Sequence, residues 1–283
     1  MGRNTTKPTQ ALPRADRIRL AKETINKTIP SLLVSYPRAR AGVAGAKLFR
    51  DLPQVLASQT SKPTIRVIDS DTFDVAQALH TNYPSDRISV LSMASPLRPG
   101  GGVFTGATSQ EESLCMRSTL LPSLRDEFYR LPENALIYTP DVLVFRAQDL
   151  SPLPKSDRFF VDVISCAALR FPEVEDGKYV VEADCEAMVK KIRLILRSAV
   201  MKGCKRVVLG ALGCGAYANP VQEVAEMFKR VICGNSKRKD DETWESIEEI
   251  VFAIRGGKDT IQVFREVLQD VAETRPSAVD VDV

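Results

Sequence analysis

Short β-branched runs alternate with amphipathic stretches along most of this chain, and that alternation restricts its fold more than any other feature. Residues 64–69 (TIRVID), 87–95 (RISVLSMAS), 158–169 (RFFVDVISCAAL), 206–212 (RVVLGAL) and 249–255 (EIVFAIR) read as strands. Between them, 72–80, 109–124, 183–203, 220–232 and 260–271 carry helical spacing, the first capped by Asp71 or Thr72 and the fourth opening on Pro220. The continuous apolar strands VVLGAL and IVFAI suit a sheet buried on both faces, so a mostly parallel or mixed sheet between helical layers is expected. A further helix is expected from Ala15, with Ile18, Leu20, Ala21 and Ile25 on one face before Pro30. One domain over 14–272, with 14–60 as a helical N-terminal extension and loose tails at 1–13 and 273–283, accounts for the pattern.

Composition excludes several classes. At 283 residues, 44% hydrophobic and 27% charged, the chain can bury a full core. It has no apolar run of about eighteen residues that would span a bilayer. The segment MGRNTTKPTQALPR lacks the apolar stretch of a secretory signal, so the six cysteines are expected as reduced thiols in a cytoplasmic or nuclear setting. None forms a CxxC pair. His80 is the sole histidine, which rules out a multi-histidine metal site; it reads as a surface residue at a helix end. Catalysis must then rest on carboxylates, backbone amides or cysteine.

Charge is uneven. Residues 1–50 hold eleven Lys/Arg against Asp16 and Glu23, a net +9 in a chain of +3, which leaves −6 for the rest. Such an arm either attracts polyanions or is a solvated helix face. No nucleic-acid motif accompanies it. Lys237, Arg238 and Lys239 read as solvated, and Trp244 as part of a surface loop.

Two glycine loops carry the chemistry. Pro99-Gly100-Gly101-Gly102 joins a strand to a helix, where three residues without side chains can turn backbone N–H groups toward a ligand. It is neither a Walker loop nor GxGxxG. The second loop, 210–220 (GALGCGAYANP), again leads from strand to helix, with Asn219 placed to cap the helix that follows. Two such loops at the carboxyl ends of strands suggest a nucleotide diphosphate or a relative. Gln110-Glu111-Glu112 opens the helix after the first loop. Ser109-x-x-Glu112 also fits a capping box, in which Glu112 would merely reach back to the Ser109 amide. Adjacent glutamates lie about 100° apart on a helix, so one is expected to act and the other to hold. Cys115 and Cys214 flank the loops, as reactive thiols or as small buried residues.

PGGG (99–102), seven residues and then QEE (110–112) resemble the microbial-type poly(ADP-ribose) glycohydrolases, a branch of the macrodomain fold. VLSMASPLRPGGGVFTGATSQEESLC, YTPDVLVFR (138–146) and LGALGCGAYANP extend the likeness over about 14–272. The resemblance implies a three-layer α/β/α macrodomain-like fold and hydrolysis of ribose–ribose bonds in poly(ADP-ribose), releasing ADP-ribose. Glu112 would be the acid that protonates the leaving oxygen and then the base for water, and Glu111 would hold ribose hydroxyls. Gly100, Gly101, Gly102 and Val103, with Gln110, and Gly213, Cys214, Gly215 and Ala216 would contact the ribose and diphosphate. Tyr217 would pack on the ribose beside Asn219, and Asp71 would meet the adenine amine. Ser92 stands where the family usually has asparagine, which alters the groups available to orient the ribose. The implied partners are poly(ADP-ribose) or an ADP-ribosylated protein, with ADP-ribose as product. A monomer acting away from membranes, without metal or cofactor, is expected. Two alternatives stay open: a mono-ADP-ribosyl hydrolase, and a module that binds ADP-ribose without cleaving it.

Overall fold

The computed structural model describes residues 12–55, 62–234 and 242–272; residues 1–11 of the expected tail at 1–13, the expected tail at 273–283 and the basic Lys237, Arg238 and Lys239 lie outside them. Helices α1 (Arg14–Glu23), α2 (Ile29–Ser35) and α3 (Pro37–Ala44) precede β1 (Lys47–Phe49). Then follow β2 (Thr64–Ile68), α4 (Thr72–Asn82), β3 (Ile88–Met93), α5 (Gln110–Arg117), β4 (Leu136–Val144) and β5 (Phe159–Cys166). The small hairpin β6 (Val174–Glu175) and β7 (Lys178–Tyr179) leads into α6 (Glu182–Met201), β8 (Arg206–Leu209), α7 (Val221–Cys233), β9 (Glu249–Ala253) and α8 (Lys258–Leu268).

The seven-stranded sheet has the order β1-β4-β5-β3-β8-β9-β2. Strands β5, β3, β8, β9 and β2 run parallel, and β4 is antiparallel to both β1 and β5. The mixed, mostly parallel sheet read from the sequence is therefore present. Side chains alternate between its faces, and each face is covered. Met188, Ile192, Ile195 and Ala199 of α6 recur at helical spacing and pack with Val224 and Phe228 of α7 and Phe264 of α8 on one side. Phe73, Ala76 and Leu79 of α4, with Leu114 and Cys115 of α5 and Ala21 of α1, cover the other. Helices on both faces leave the carboxyl ends of the five parallel strands as the open rim.

Four local expectations are corrected. The helix read over 109–124 stops at Arg117, because Ser118 turns extended and bridges to Val144 while the Thr119 N–H donates to Leu143 O at 3.0 Å. Pairing beside β4 outweighs helical propensity there. Pro30 does not end the N-terminal helix: a π turn at Thr24–Thr28 carries the chain from α1 into α2. The N-cap of α7 is Pro220, not Asn219. Trp244 is 1% exposed, with Nε1 donating to Val231 O at 2.8 Å; polar neighbours in sequence concealed a core residue. Strand β4 carries no clean strand signature, since Pro140 and Asp141 interrupt it and a register shift falls between Thr139 and Val142. No helix among the described residues is long and apolar enough to cross a membrane.

Candidate active site

A cleft lies over the carboxyl ends of the parallel strands, formed by two adjoining cavities of about 540 and 510 Å³. Met93, Ser109, Gln110, Gly215 and Arg255 line both and so mark the waist between them. Such a volume is of the size that holds a small ligand.

The larger cavity is floored by the two glutamates at the start of α5. Glu111 is 3% and Glu112 7% exposed. Glu112 does not close a capping box; Ser109 makes no side-chain cap. Its Oε1 instead accepts the Gly102 N–H at 2.6 Å. Glu111 Oε2 accepts the Ser95 N–H at 2.7 Å. The remaining oxygens, Glu111 Oε1 and Glu112 Oε2, are buried without a hydrogen-bond partner. Burial pushes the Glu111 carboxyl up to about 8, against the pull of the Ser95 N–H, and the neighbouring Glu112 charge adds to the rise. Two carboxylates in so dry a place cannot both ionise cheaply, so the pair retains a proton at neutral pH.

The first glycine loop serves these carboxylates. Gly101 has φ +55°, and a Cβ on it would stand 2.6 Å from Glu112 Oε1 and 2.9 Å from Glu111 Oε2. Glycine is needed because the two carboxyl groups occupy the side-chain space. Gly100, also at positive φ, is buried against Leu121 and Cys115, and Val103 is 2% exposed behind the loop. Neither Gly100 nor Val103 lines the cleft, whereas Gly101 and Gly102 do. The loop is braced from outside by α1: Arg14 Nε donates to Thr105 O at 2.9 Å and Arg17 Nε to Gly106 O at 2.8 Å. Two charges of the basic arm are thus spent on the protein itself.

Gln110 is at the cleft but fully engaged, accepting the Met93 N–H and donating to Thr72 Oγ1 and Leu91 O, which fastens α5 to the end of β3. The second loop supplies Gly213, Gly215, Ala216 and Tyr217 to the larger cavity and Cys214 to the smaller. Asn219 is 3% exposed and scaffolds that loop: its Nδ2 donates to Leu169 O at 2.8 Å and to Gly213 O at 3.2 Å, and its Oδ1 accepts from Tyr179 Oη. A Cβ on Gly213 would collide with that amide at 2.5 Å. Asp71 lines the smaller cavity, caps α4 through the Phe73 N–H and pairs with buried Arg117 at 2.5 Å. Ser92 lines neither cavity; it is fully buried in register with Ser165, and neither hydroxyl has a partner.

Both cysteines beside the loops are held as thiols. Cys115 is wholly buried, and burial raises Cys214 to about 12. His80 is half-buried, stacks on Phe159 and is lowered by burial. Arg98, Arg170 and Arg255 line the cleft, and none has an ion-pair partner among the described residues. Sequence reading passed over all three. The one available signal was position, since Arg170 and Arg255 each follow an apolar strand at its carboxyl end.

A cleft at the carboxyl ends of a mixed sheet, with glycine loops on two strands and a buried carboxylate pair, defines a macrodomain-like protein. Residues 34–147, which include the first loop and the glutamates, match the family model "Microbial-type PARG, catalytic domain". The resemblance to microbial-type poly(ADP-ribose) glycohydrolases therefore holds. The poly(ADP-ribose) glycohydrolase of Thermomonospora curvata is 26% identical, with a TM-score of 0.74 over 90% of this chain and 100% of that one. The same enzyme bound to the inhibitor ADP-HPD aligns at 25% identity and a TM-score of 0.70, over 89% of this chain and 99% of that one. The Deinococcus radiodurans poly(ADP-ribose) glycohydrolase in complex with ADP-ribose shares the fold, at 24% identity and a TM-score of 0.68, over 84% of this chain and 99% of that one. No curated protein matches the chain.

Proposed function

We infer that this chain is a poly(ADP-ribose) glycohydrolase that cleaves ribose–ribose O-glycosidic bonds and releases ADP-ribose. The observation that carries the reading is the carboxylate pair, buried at the cleft floor with one unpartnered oxygen on each member. Burial holds a proton on Glu111 up to about pH 8. Ribose hydroxyls that donate to Glu111 favour its ionised form, which frees its proton for transfer through Glu112. Glu112, steered by the Gly102 N–H, gives it to the leaving oxygen and afterwards takes a proton from the attacking water. The charge developing on the ribose lies beside the carboxylates.

The diphosphate fits the unpaired Arg255 at the waist and the second loop before α7, whose N-terminus carries partial positive charge. Tyr217 offers a ring to the ribose, and the smaller cavity, with Asp71 on its wall, takes the adenine end. The test is incubation with labelled poly(ADP-ribose) and chromatography of the products. Release of ADP-ribose supports the reading. Binding of ADP-ribose without release from polymer would leave a module that only recognises it.

A further inference from the structure

Immediately outside the larger cavity, the chain displays an aromatic ring in an unusual way. Phe171 is 62% exposed, and its backbone lies at φ +51°, a region that bulky L-residues rarely occupy. Its N–H donates to Tyr217 O at 3.0 Å, which ties it to the second glycine loop. The Phe171 and Tyr217 rings are 6.3 Å apart and tilted by 59°, so they make an open angle rather than a closed stack. The Arg170 guanidinium lies 5.6 Å from the Phe171 centroid and 5.7 Å from that of Tyr217. Arg170 has no carboxylate within ion-pair distance among the described residues, and it lines the same cavity as Glu111 and Glu112. A strained backbone that holds a large apolar ring in water, next to an unpaired cation on the wall of the cleft, is the pattern of a ligand platform.

We propose that Phe171 and Arg170 form an outer subsite for the leaving nucleoside, with the adenine stacked on Phe171 and its phosphate facing Arg170. This rests on the glycohydrolase reading, because only a substrate longer than ADP-ribose has a nucleoside on the leaving side of the scissile bond. Arg170 lines the same cavity as the glutamates, from which that nucleoside must emerge; the smaller cavity lies on the other side of the waist. A flat ring accepts a base face without reading its edge, and the guanidinium supplies the charge complement to a phosphate.

The experiment uses the full chain carrying E112Q, so that bound polymer survives, and compares the Kd of short labelled ADP-ribose oligomers with that of ADP-ribose. The platform makes the oligomer bind more tightly than the monomer. Adding Phe171→Ala weakens the oligomer about tenfold, the scale of one lost base stack, and leaves ADP-ribose within about twofold. Phe171→Trp retains oligomer affinity, and Arg170→Met weakens the oligomer most at low salt. Equal affinity for oligomer and monomer, or an equal loss of both in Phe171→Ala, would overturn the subsite. The measurement needs no turnover, so failure of the wild type to release ADP-ribose would overturn the glycohydrolase reading separately.

Discussion

Glu112 Oε1 takes the main-chain N–H of Gly102 at 2.6 Å, and this one bond turns an apparent helix cap into a group aimed across the cleft floor. The glycine loop and the glutamate pair are a single unit. The loop has no side chains at Gly101 because the carboxyl groups lie where they would be.

Gly101→Ala should therefore damage catalysis more than its size suggests. The added methyl would meet both carboxylates at under 3 Å, at a φ that alanine reaches only at a cost of about 1–2 kcal/mol. A fall in kcat of at least about a hundredfold is expected, the scale for catalytic groups displaced by about 1 Å, with a melting temperature lowered by only several degrees. Steady-state kinetics and a thermal melt check the two parts.

Glu111 makes stability depend on pH in a definite direction. Unfolded, its carboxyl titrates near 4.5; folded, it keeps its proton to about 8. The native state thus binds more protons between these values, and its stability falls as pH rises through that window. Glu111→Gln, which retains an acceptor for the Ser95 N–H, should stabilise the protein at pH 8–9 relative to pH 5, by on the order of 3 kcal/mol. Paired melts at the two pH values measure this. A constant difference would place the proton elsewhere. For the same reason kcat/KM should decline above about pH 8.

Ser92 gives a contrasting prediction. Its hydroxyl is buried, unpartnered and away from both cavities. Ser92→Ala should leave KM for polymer within about twofold and hold or raise the melting temperature, because an unsatisfied buried hydroxyl costs about 1–3 kcal/mol. A tenfold rise in KM would instead mean that the hydroxyl reaches the ribose.

Arg14 and Arg17 support the loop from outside. Replacing both with alanine should raise hydrogen exchange of the amides at 102–107 and lower kcat several-fold, while the salt dependence of polymer binding stays as in wild type. A changed salt slope would show that these charges meet the polymer instead.

The chemistry-bearing parts were legible in sequence because glycine triplets and paired glutamates have few other uses at a strand-to-helix junction. The parallel strands were legible for a similar reason, since apolar runs bounded by turn residues leave little choice. What stayed hidden depends on distant partners. Strand β4 holds Pro140 and Asp141 at a bulge, where the Asp141 N–H finds Asp162 Oδ1 rather than a ladder carbonyl. Trp244 is surrounded by polar residues in sequence but by the core in space. The choice between cap and catalytic group for Glu112 could not be read from spacing, because the competing donor, Gly102, sits on another turn of chain. Arg170 and Arg255 look like ordinary strand-end arginines until the cleft is assembled.

The most direct test compares ADP-ribose release from labelled poly(ADP-ribose) by wild type and by Glu112→Gln, at equal concentration and with matched melting curves. Release by wild type and a loss of at least about a hundredfold in the variant, the scale of a missing general acid, is the expected result. A variant that releases ADP-ribose at the wild-type rate would contradict the role of Glu112 and return it to the helix cap that glutamine fills equally well.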